Sequence, residues 1–293
     1  MSFAEYLTER QAPELPEGLL LFLQACANYE PLRSEITLKG GLLCCLQWGT
    51  GRATQDADFT APSFKPADGA DEARERIRQQ LNTALIAYGP LQERYYSKVS
   101  SVKLQTNRRP LRADVRIHLL SRDAPQEALE KFHKGWRAEE WSTMLEVDVA
   151  FADERIGPAA VLILPDGSSL PAYSPEEQMA EKLRALLIEE RKSNRCQDIF
   201  DVFRIARHHA YDKAVLLSLL RAKVHQRKPE FRLHSESMTV EVLARQKAGY
   251  EELRADVVGR PLPAFDVIAT YIVVMYQGLP WDSDDALESA NDG

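Results

Sequence analysis

The spacing of apolar residues changes character several times along the chain. Leu19 to Ala27 is apolar almost all round, which predicts a helix buried on every side. Phe3 to Arg10 suits a short helix broken by Pro13 and Pro16. Glu35-Ile36-Thr37-Leu38 is short and β-prone, and Gly40-Gly41 stops it; Leu42 to Leu46 then suits another buried helix. Leu81, Ala84, Leu85 and Tyr88 fall at i, i+3, i+4 and i+7, so an amphipathic helix is expected over 71–88. From Tyr95 to Leu119 the pattern turns to strands. Val99, Val102 and Leu104 precede an Asn107-Arg108-Arg109-Pro110 turn, and Leu111, Val115, Ile117 and Leu119 follow it. Met144 to Phe151 reads as a further strand, with Glu146, Asp148 and Ala150 on one face and Leu145, Val147 and Val149 on the other.

Beyond Leu170 the pattern is helical. Ser174-Pro175-Glu176-Glu177 carries an N-cap serine, a proline at the first helical position and a glutamate placed to complete a capping box. The helix it opens, 176–190, has Met179, Leu183, Leu186 and Leu187 as its apolar stripe, with Lys182 lying inside that stripe. Asp198 and Asp201 stand three apart on the next helix, and Val202 and Ile205 continue their face. Two more helices are expected over 240–252 and 265–276. The chain therefore reads as α+β: a mixed sheet with flanking helices over 1–172, an all-helical domain over 173–280, and a tail over 281–293 that is expected to be disordered.

Composition narrows the classes. A 44% hydrophobic and 28% charged chain is an ordinary globular one. No apolar run reaches the length of a membrane span and the first ten residues do not resemble a signal peptide, so no membrane partner and a cytoplasmic location are expected. The four cysteines and six histidines show no zinc-like spacing. The net charge of −7 owes five charges to Asp282, Asp284, Asp285, Glu288 and Asp292; without them the body stands at −2. Local basic patches are then compatible with a nucleic-acid partner. Arg108, Arg109, Arg112 and Arg116 form one candidate, and Arg221, Lys223, Arg227, Lys228 and Arg232 another. A solvated hairpin and a solvated helix end are the plainer readings of the two clusters, and a phosphate-backbone or RNA contact is the sharper alternative.

The chemistry concentrates between Lys39 and Phe59. Gly40 and Gly41 allow backbone N–H groups to approach an anion at the N-terminus of the following helix, where the helix dipole also favours negative charge. Asp56 and Asp58 alternate, so on a strand their carboxylates share a face. Like charges brought together call for a cation, and oxygen ligands of this kind suit Mg2+ or Mn2+. Taken singly, a double glycine marks a turn and an Asp-x-Asp a solvated strand edge. In the order strand, Gly-Gly, helix, Asp-x-Asp strand, they resemble a nucleotidyltransferase of the DNA-polymerase-β type. More specifically, Leu38-Lys39-Gly40-Gly41 and Arg52-Ala53-Thr54-Gln55-Asp56-Ala57-Asp58-Phe59 are similar to the motifs of the AbiEii/AbiGii toxin nucleotidyltransferases. Ala180-Glu181-Lys182-Leu183-Arg184-Ala185-Leu186 and Gln197-Asp198-Ile199-Phe200-Asp201-Val202 resemble the later motifs of the same family, with Gln197 where an arginine is usual and Arg195 nearby.

The resemblance implies a polymerase-β-like mixed sheet and transfer of a nucleoside monophosphate from an NTP to an acceptor, with pyrophosphate released. It implies Asp56 and Asp58 as metal ligands, with a third carboxylate on a neighbouring strand. Asp148 is preferred because the family's third carboxylate lies shortly before the lysine helix, and Asp114 is the rival. Gly40, Gly41, Arg52, Thr54 and Lys182 would hold the triphosphate, and Asp198 would orient it or the acceptor. On residue types alone, Lys182 and Asp198 could equally be an interhelical salt bridge. The implied role is the toxin of a toxin–antitoxin or phage-defence pair, with a cognate antitoxin and a tRNA 3′ end as acceptor. Transfer to a protein hydroxyl, or a non-catalytic NTP-binding module, are the alternatives.

Overall fold

A strand with one apolar and one charged face needs cover on the first and leaves the second open, and this rule organises the sheet. The computed structural model describes residues 1–10, 12–13, 15–51, 54, 56–62, 69–105, 111–136, 140–151, 155–188, 195–255, 257 and 262–281. The chain divides into two compact units, one drawn from 1–49, 53–155 and 159–172, the other from 50–52, 156–158 and 173–293.

The first unit runs α1 (Phe3–Glu9), α2 (Glu17–Asn28), α3 (Glu30–Arg33), β1 (Thr37–Lys39), α4 (Gly40–Trp48), β2 (Asp56–Ala61), α5 (Ala70–Ala87) and α6 (Gly89–Arg94). It continues with β3 (Tyr95–Gln105), β4 (Arg112–Ser121), α7 (Gln126–His133), β5 (Ser142–Phe151), β6 (Ala160–Ile163) and β7 (Ser169–Ala172). The strands form one mixed sheet in the order β3-β4-β5-β2-β1-β7-β6. β2 pairs parallel with β5 and antiparallel with β1, so the Asp-x-Asp strand lies inside the sheet. Ala57 and Phe59 of β2, Leu145, Val147 and Val149 of β5, and Ala113, Val115, Ile117 and Leu119 of β4 are all buried. So are residues 19–23 and 25–27 of α2 and Ile77, Leu81 and Leu85 of α5, and Phe22 meets Phe59 edge-on at 6.4 Å. At roughly 1.5–3 kcal/mol for each large buried side chain, this layer is the main source of the unit's stability.

The opposite face is polar and only partly covered. α7 closes one end, where Phe132 and Ala128 pack on Leu120 and Tyr96, and His118 lies 4.8 Å from the Phe132 ring. The sequence pattern did not foresee α6 or α7, both short, nor β7, whose Ser169-Leu170-Pro171-Ala172 has only two buried residues.

The second unit holds α8 (Pro175–Ile188), α9 (Cys196–His208), α10 (Lys213–Arg227), α11 (Val240–Ala244), α12 (Lys247–Tyr250), a 3-10 turn (Glu251–Ala255) and α13 (Phe265–Gln277). Two expectations need correcting. The helix predicted over 240–252 is broken into three pieces. Gln246, at the break, accepts the Arg195 N–H through its side chain, and the Gly249 carbonyl accepts from Cys196 Sγ at 3.3 Å. Glycine within such a short segment costs about 1 kcal/mol relative to alanine, so these outside bonds prevail. Ser174 does cap α8, its Oγ accepting the Glu177 N–H at 3.2 Å, but the Glu177 carboxylate does not turn back to complete a box. It accepts instead from the backbone N–H groups of Ile156 and Gly157 and pairs with Lys223 at 3.0 Å. The acidic tail lies outside the described residues.

Candidate active site

At the junction between β1 and α4 the backbone closes against the polar face. Gly40 takes φ +75°, a conformation L side chains rarely adopt, and a Cβ placed on it would lie 1.9 Å from Asp58 Oδ2. A side chain at this position would be strained by the backbone conformation and would force the Asp58 carboxylate to shift. Gly41 follows as the second residue of α4.

Strand register then gathers the charges. Lys39 pairs with Asp58, Asp58 with Asp148, and Asp148 with Asp114, so β1, β2, β5 and β4 contribute one cross-strand row. The next row holds Asp56, Glu146 and Arg116. Directly paired residues point to the same face, about 4.5–5.5 Å apart at Cβ, so Asp148 is flanked by an acid on either side. The preferred third carboxylate, Asp148, is thus the immediate neighbour of Asp58, whereas Asp114 is one strand further away.

Partners within the sheet temper this charge. Arg112 Nη1 lies 3.4 Å from Asp148 Oδ2, Arg116 pairs with Glu146 at 3.6 Å, and Gln105 Nε2 donates to Asp114 at 2.6 Å. The Asp148 carboxyl nevertheless titrates above the usual aspartate range. Burial is the largest cause; Arg112 and then Lys39 oppose it, while Asp58 and Asp114 add to it. Arg112 and Arg116 therefore face acids of the sheet, and Arg108 and Arg109 of the predicted basic turn lie outside the described residues. Thr54 is half-buried, Asp56 is exposed, and Arg52 lies outside the described residues. Among the described residues, no three His, Cys, Asp or Glu side chains are drawn together closely enough to hold a metal ion as they stand.

Lys182 and Asp198 belong to the second unit and meet there. Lys182 Nζ lies 2.7 Å from Asp198 Oδ1 and 2.9 Å from Asp201 Oδ2, with side-chain exposures of 7%, 12% and 0%. Arg195 Nη1 reaches the other oxygen of Asp198 at 3.3 Å, which brings the four charges to balance. Arg195 thus supplies a guanidinium beside Asp198 in a motif whose usual arginine position is Gln197. Desolvating three such ions costs several kcal/mol each, and only close pairing offsets it. Sequence reasoning noted Asp201 but left it out of the candidate site; its i, i+3 spacing from Asp198 was the signal available. Lys39 and Arg112 were missed as neighbours of the carboxylates, although Arg112 lies on the face of Asp114 by simple alternation.

The second basic patch read from the sequence loses a member. Lys223 is buried between Glu177 at 3.0 Å and Glu181 at 3.7 Å, with the Tyr173 ring 4.7 Å away, and Arg221 lies over Trp281. Among the described residues no helix is long and apolar enough to cross a membrane.

Comparison with known proteins gives this geometry its context. No curated protein sequence matches the chain. Among solved structures, MenT4, a nucleotidyltransferase toxin from Mycobacterium tuberculosis H37Rv, superposes with a TM-score of 0.56 at 18% identity, covering 97% of this chain and 90% of its own. JHP933 from Helicobacter pylori matches at 15% identity with a TM-score of 0.46, covering 95% and 99% of the two chains. The likeness to MenT4 is one of fold. The model of the nucleotidyl transferase AbiEii toxins of type IV toxin–antitoxin systems matches residues 21–288, nearly the whole chain. The chain belongs to the AbiEii family of nucleotidyltransferase toxins.

Proposed function

We propose that this nucleotidyltransferase moves a nucleoside monophosphate from an NTP to the 3′ end of an RNA, a tRNA in particular, releases pyrophosphate, and is held in check by a cognate antitoxin. Residues 1–172 would form its nucleotidyltransferase core domain and 173–280 a helical domain. One observation carries the reading: Asp58 stands beside Asp148 on adjacent strands, and Gly40 closes against the Asp58 carboxylate.

The donor set fits a hard divalent cation such as Mg2+ or Mn2+, because Asp56, Asp58 and Asp148 offer only carboxylate oxygens from two neighbouring strands. When bound, such an ion would neutralise the triphosphate and lower the pKa of the attacking hydroxyl. The chain's own groups do the rest. Gly40 and Gly41 let backbone N–H groups at the start of α4 approach phosphate oxygens, and Thr54 and Arg52 add hydrogen bonds to the same phosphates. Lys182 contributes a positive charge as the pyrophosphate departs, and Asp198 holds that ammonium in place. Asp148, beside Asp58, would complete the carboxylate set that holds the ion, and Asp198 would orient the triphosphate or the acceptor.

The acceptor class is tested by incubating the protein with each α-32P-labelled NTP in a cell lysate and resolving RNA from protein. Label at RNA 3′ ends with matching pyrophosphate release is the expected result. Label on protein would favour transfer to a protein hydroxyl, and nucleotide binding without pyrophosphate would reduce the chain to a binding module.

A further inference from the structure

Helix α9 changes character along its length. Asp198 and Asp201, in its first two turns, meet Lys182. From 202 to 211 the chain has no acid and carries Arg204, Arg207, His208 and His209. Arg204, Arg207 and His208 fall at i, i+3 and i+4 and so share one face; Arg204 is half-buried, and the other two are exposed. Arg204 Nη1 lies 3.0 Å from His208 Nε2, and because a guanidinium only donates, the imidazole accepts. Desolvation, then Arg207 and His209, hold His208 below the usual histidine range, which keeps that ring able to accept. Arg207 lies over the Phe203 ring, 5.5 Å from its centroid, and the buried Phe203 meets Tyr271 of α13 edge-on at 5.1 Å. Both guanidinium groups are thus steadied by rings, and among the described residues neither reaches a carboxylate. Asp212, the next acid along the chain, is turned to its own helix, where it caps α10 through the Ala214 and Val215 N–H groups. The C-terminal dipole of α9 favours cations only within the last turn, so it accounts for Arg207 and His208 but not for Arg204.

We propose that Arg204 and Arg207 form a docking surface for the sugar-phosphate backbone of the acceptor RNA. They lie six and nine residues beyond Asp198, about 9 and 14 Å along the same helix at 1.5 Å per residue. One helix therefore carries both the aspartate read as orienting the triphosphate or the acceptor and the cations that hold the acceptor's strand. The planar guanidinium fork matches a phosphate through two parallel hydrogen bonds, and a contact of this kind fixes the strand without reading its sequence. The inference rests on the reading of the acceptor as RNA.

The test is binding of fluorescein-labelled, deacylated bulk tRNA to the full chain, followed by anisotropy over about 50 to 200 mM KCl, with transfer from α-32P-NTP to the same tRNA and thermal melts to verify folding. The double variant Arg204→Gln, Arg207→Gln should bind tRNA about tenfold more weakly, and the slope of log K against log[KCl] should fall by about two. Its KM for tRNA should rise by a similar factor, while kcat at saturating tRNA and the affinity for NTP stay within about twofold of the wild type. The double variant Lys131→Gln, Lys247→Gln removes the same charge from two exposed, ion-paired sites and should change affinity by less than about threefold. Arg207→Gln alone is the variant to rely on if the double one does not fold, with a slope lower by about one. Wild-type affinity and slope in the folded arginine variants, or an equal loss in the lysine control, would overturn the proposal and leave RNA as the acceptor. Label on protein, or no binding and labelling of tRNA by the wild type, would remove the tRNA reading and the proposal with it.

Discussion

Gly40 and Asp58 meet so closely that the backbone of one defines the space for the carboxylate of the other: a Cβ on Gly40 would fall 1.9 Å from Asp58 Oδ2. Strand β1 and helix α4 exchange direction at that glycine, and the φ of +75° that permits the exchange also permits the contact. Gly40→Ala should therefore act on chemistry as well as on stability. The left-handed backbone alone costs about 1–2 kcal/mol for an L-residue. Displacing Asp58 by an ångström or so should reduce turnover about a hundredfold. Circular dichroism and single-turnover transfer on the same preparation check both. Full turnover in a folded Gly40→Ala chain would remove Asp58 from the site.

The two rivals for the third carboxylate now have distinct places. Asp148 is one strand from Asp58, and Asp114 is two. Asp148→Ala should lower turnover by about 10²–10³-fold or more. Asp114→Ala should cost far less, since Asp114 stands between Asp148 and Lys103 and accepts from the Gln105 amide, one strand further from Asp58. Parallel rate measurements at saturating NTP and metal give the ranking. A larger loss in Asp114→Ala would transfer the role to β4.

Lys182 should carry two burdens. It is nearly enclosed with Asp198 and Asp201, so Lys182→Ala leaves two carboxylates without its charge and should cost about 3–5 kcal/mol of stability. If it also holds the triphosphate, the fraction that remains folded should bind NTP weakly and turn over almost none of it. Chemical denaturation, NTP binding and transfer assays on the single mutant separate the burdens. A destabilised chain with normal specific activity would leave Lys182 a structural brace only.

Much of this arrangement was legible in the sequence, for a physical reason. Alternation along a strand is a strict two-residue period, so Asp56 with Asp58, and Glu146 with Asp148, could each be placed on one face from their spacing. Which strands are neighbours is a non-local matter, and nothing in the spacing shows that β5 pairs with β2, or that Arg112 reaches across to Asp148. The same limit explains Glu177. Its capping-box position was visible, but the three partners that draw its carboxylate away come from residues 156, 157 and 223. Short elements such as α7 and β7 bury too few side chains to impose a period, and they escaped for that reason.

The account rests on nucleotidyl transfer at the charged face of the sheet, and one measurement addresses that directly. Pyrophosphate release and incorporation of label from α-32P-NTP are followed together for the wild type, the wild type with EDTA, and Asp58→Asn. The account predicts equal amounts of pyrophosphate and incorporated nucleotide in the wild type, and neither product in EDTA or in Asp58→Asn, with the variant still folded in a thermal melt. Undiminished transfer in EDTA, or by a folded Asp58→Asn chain, would contradict it.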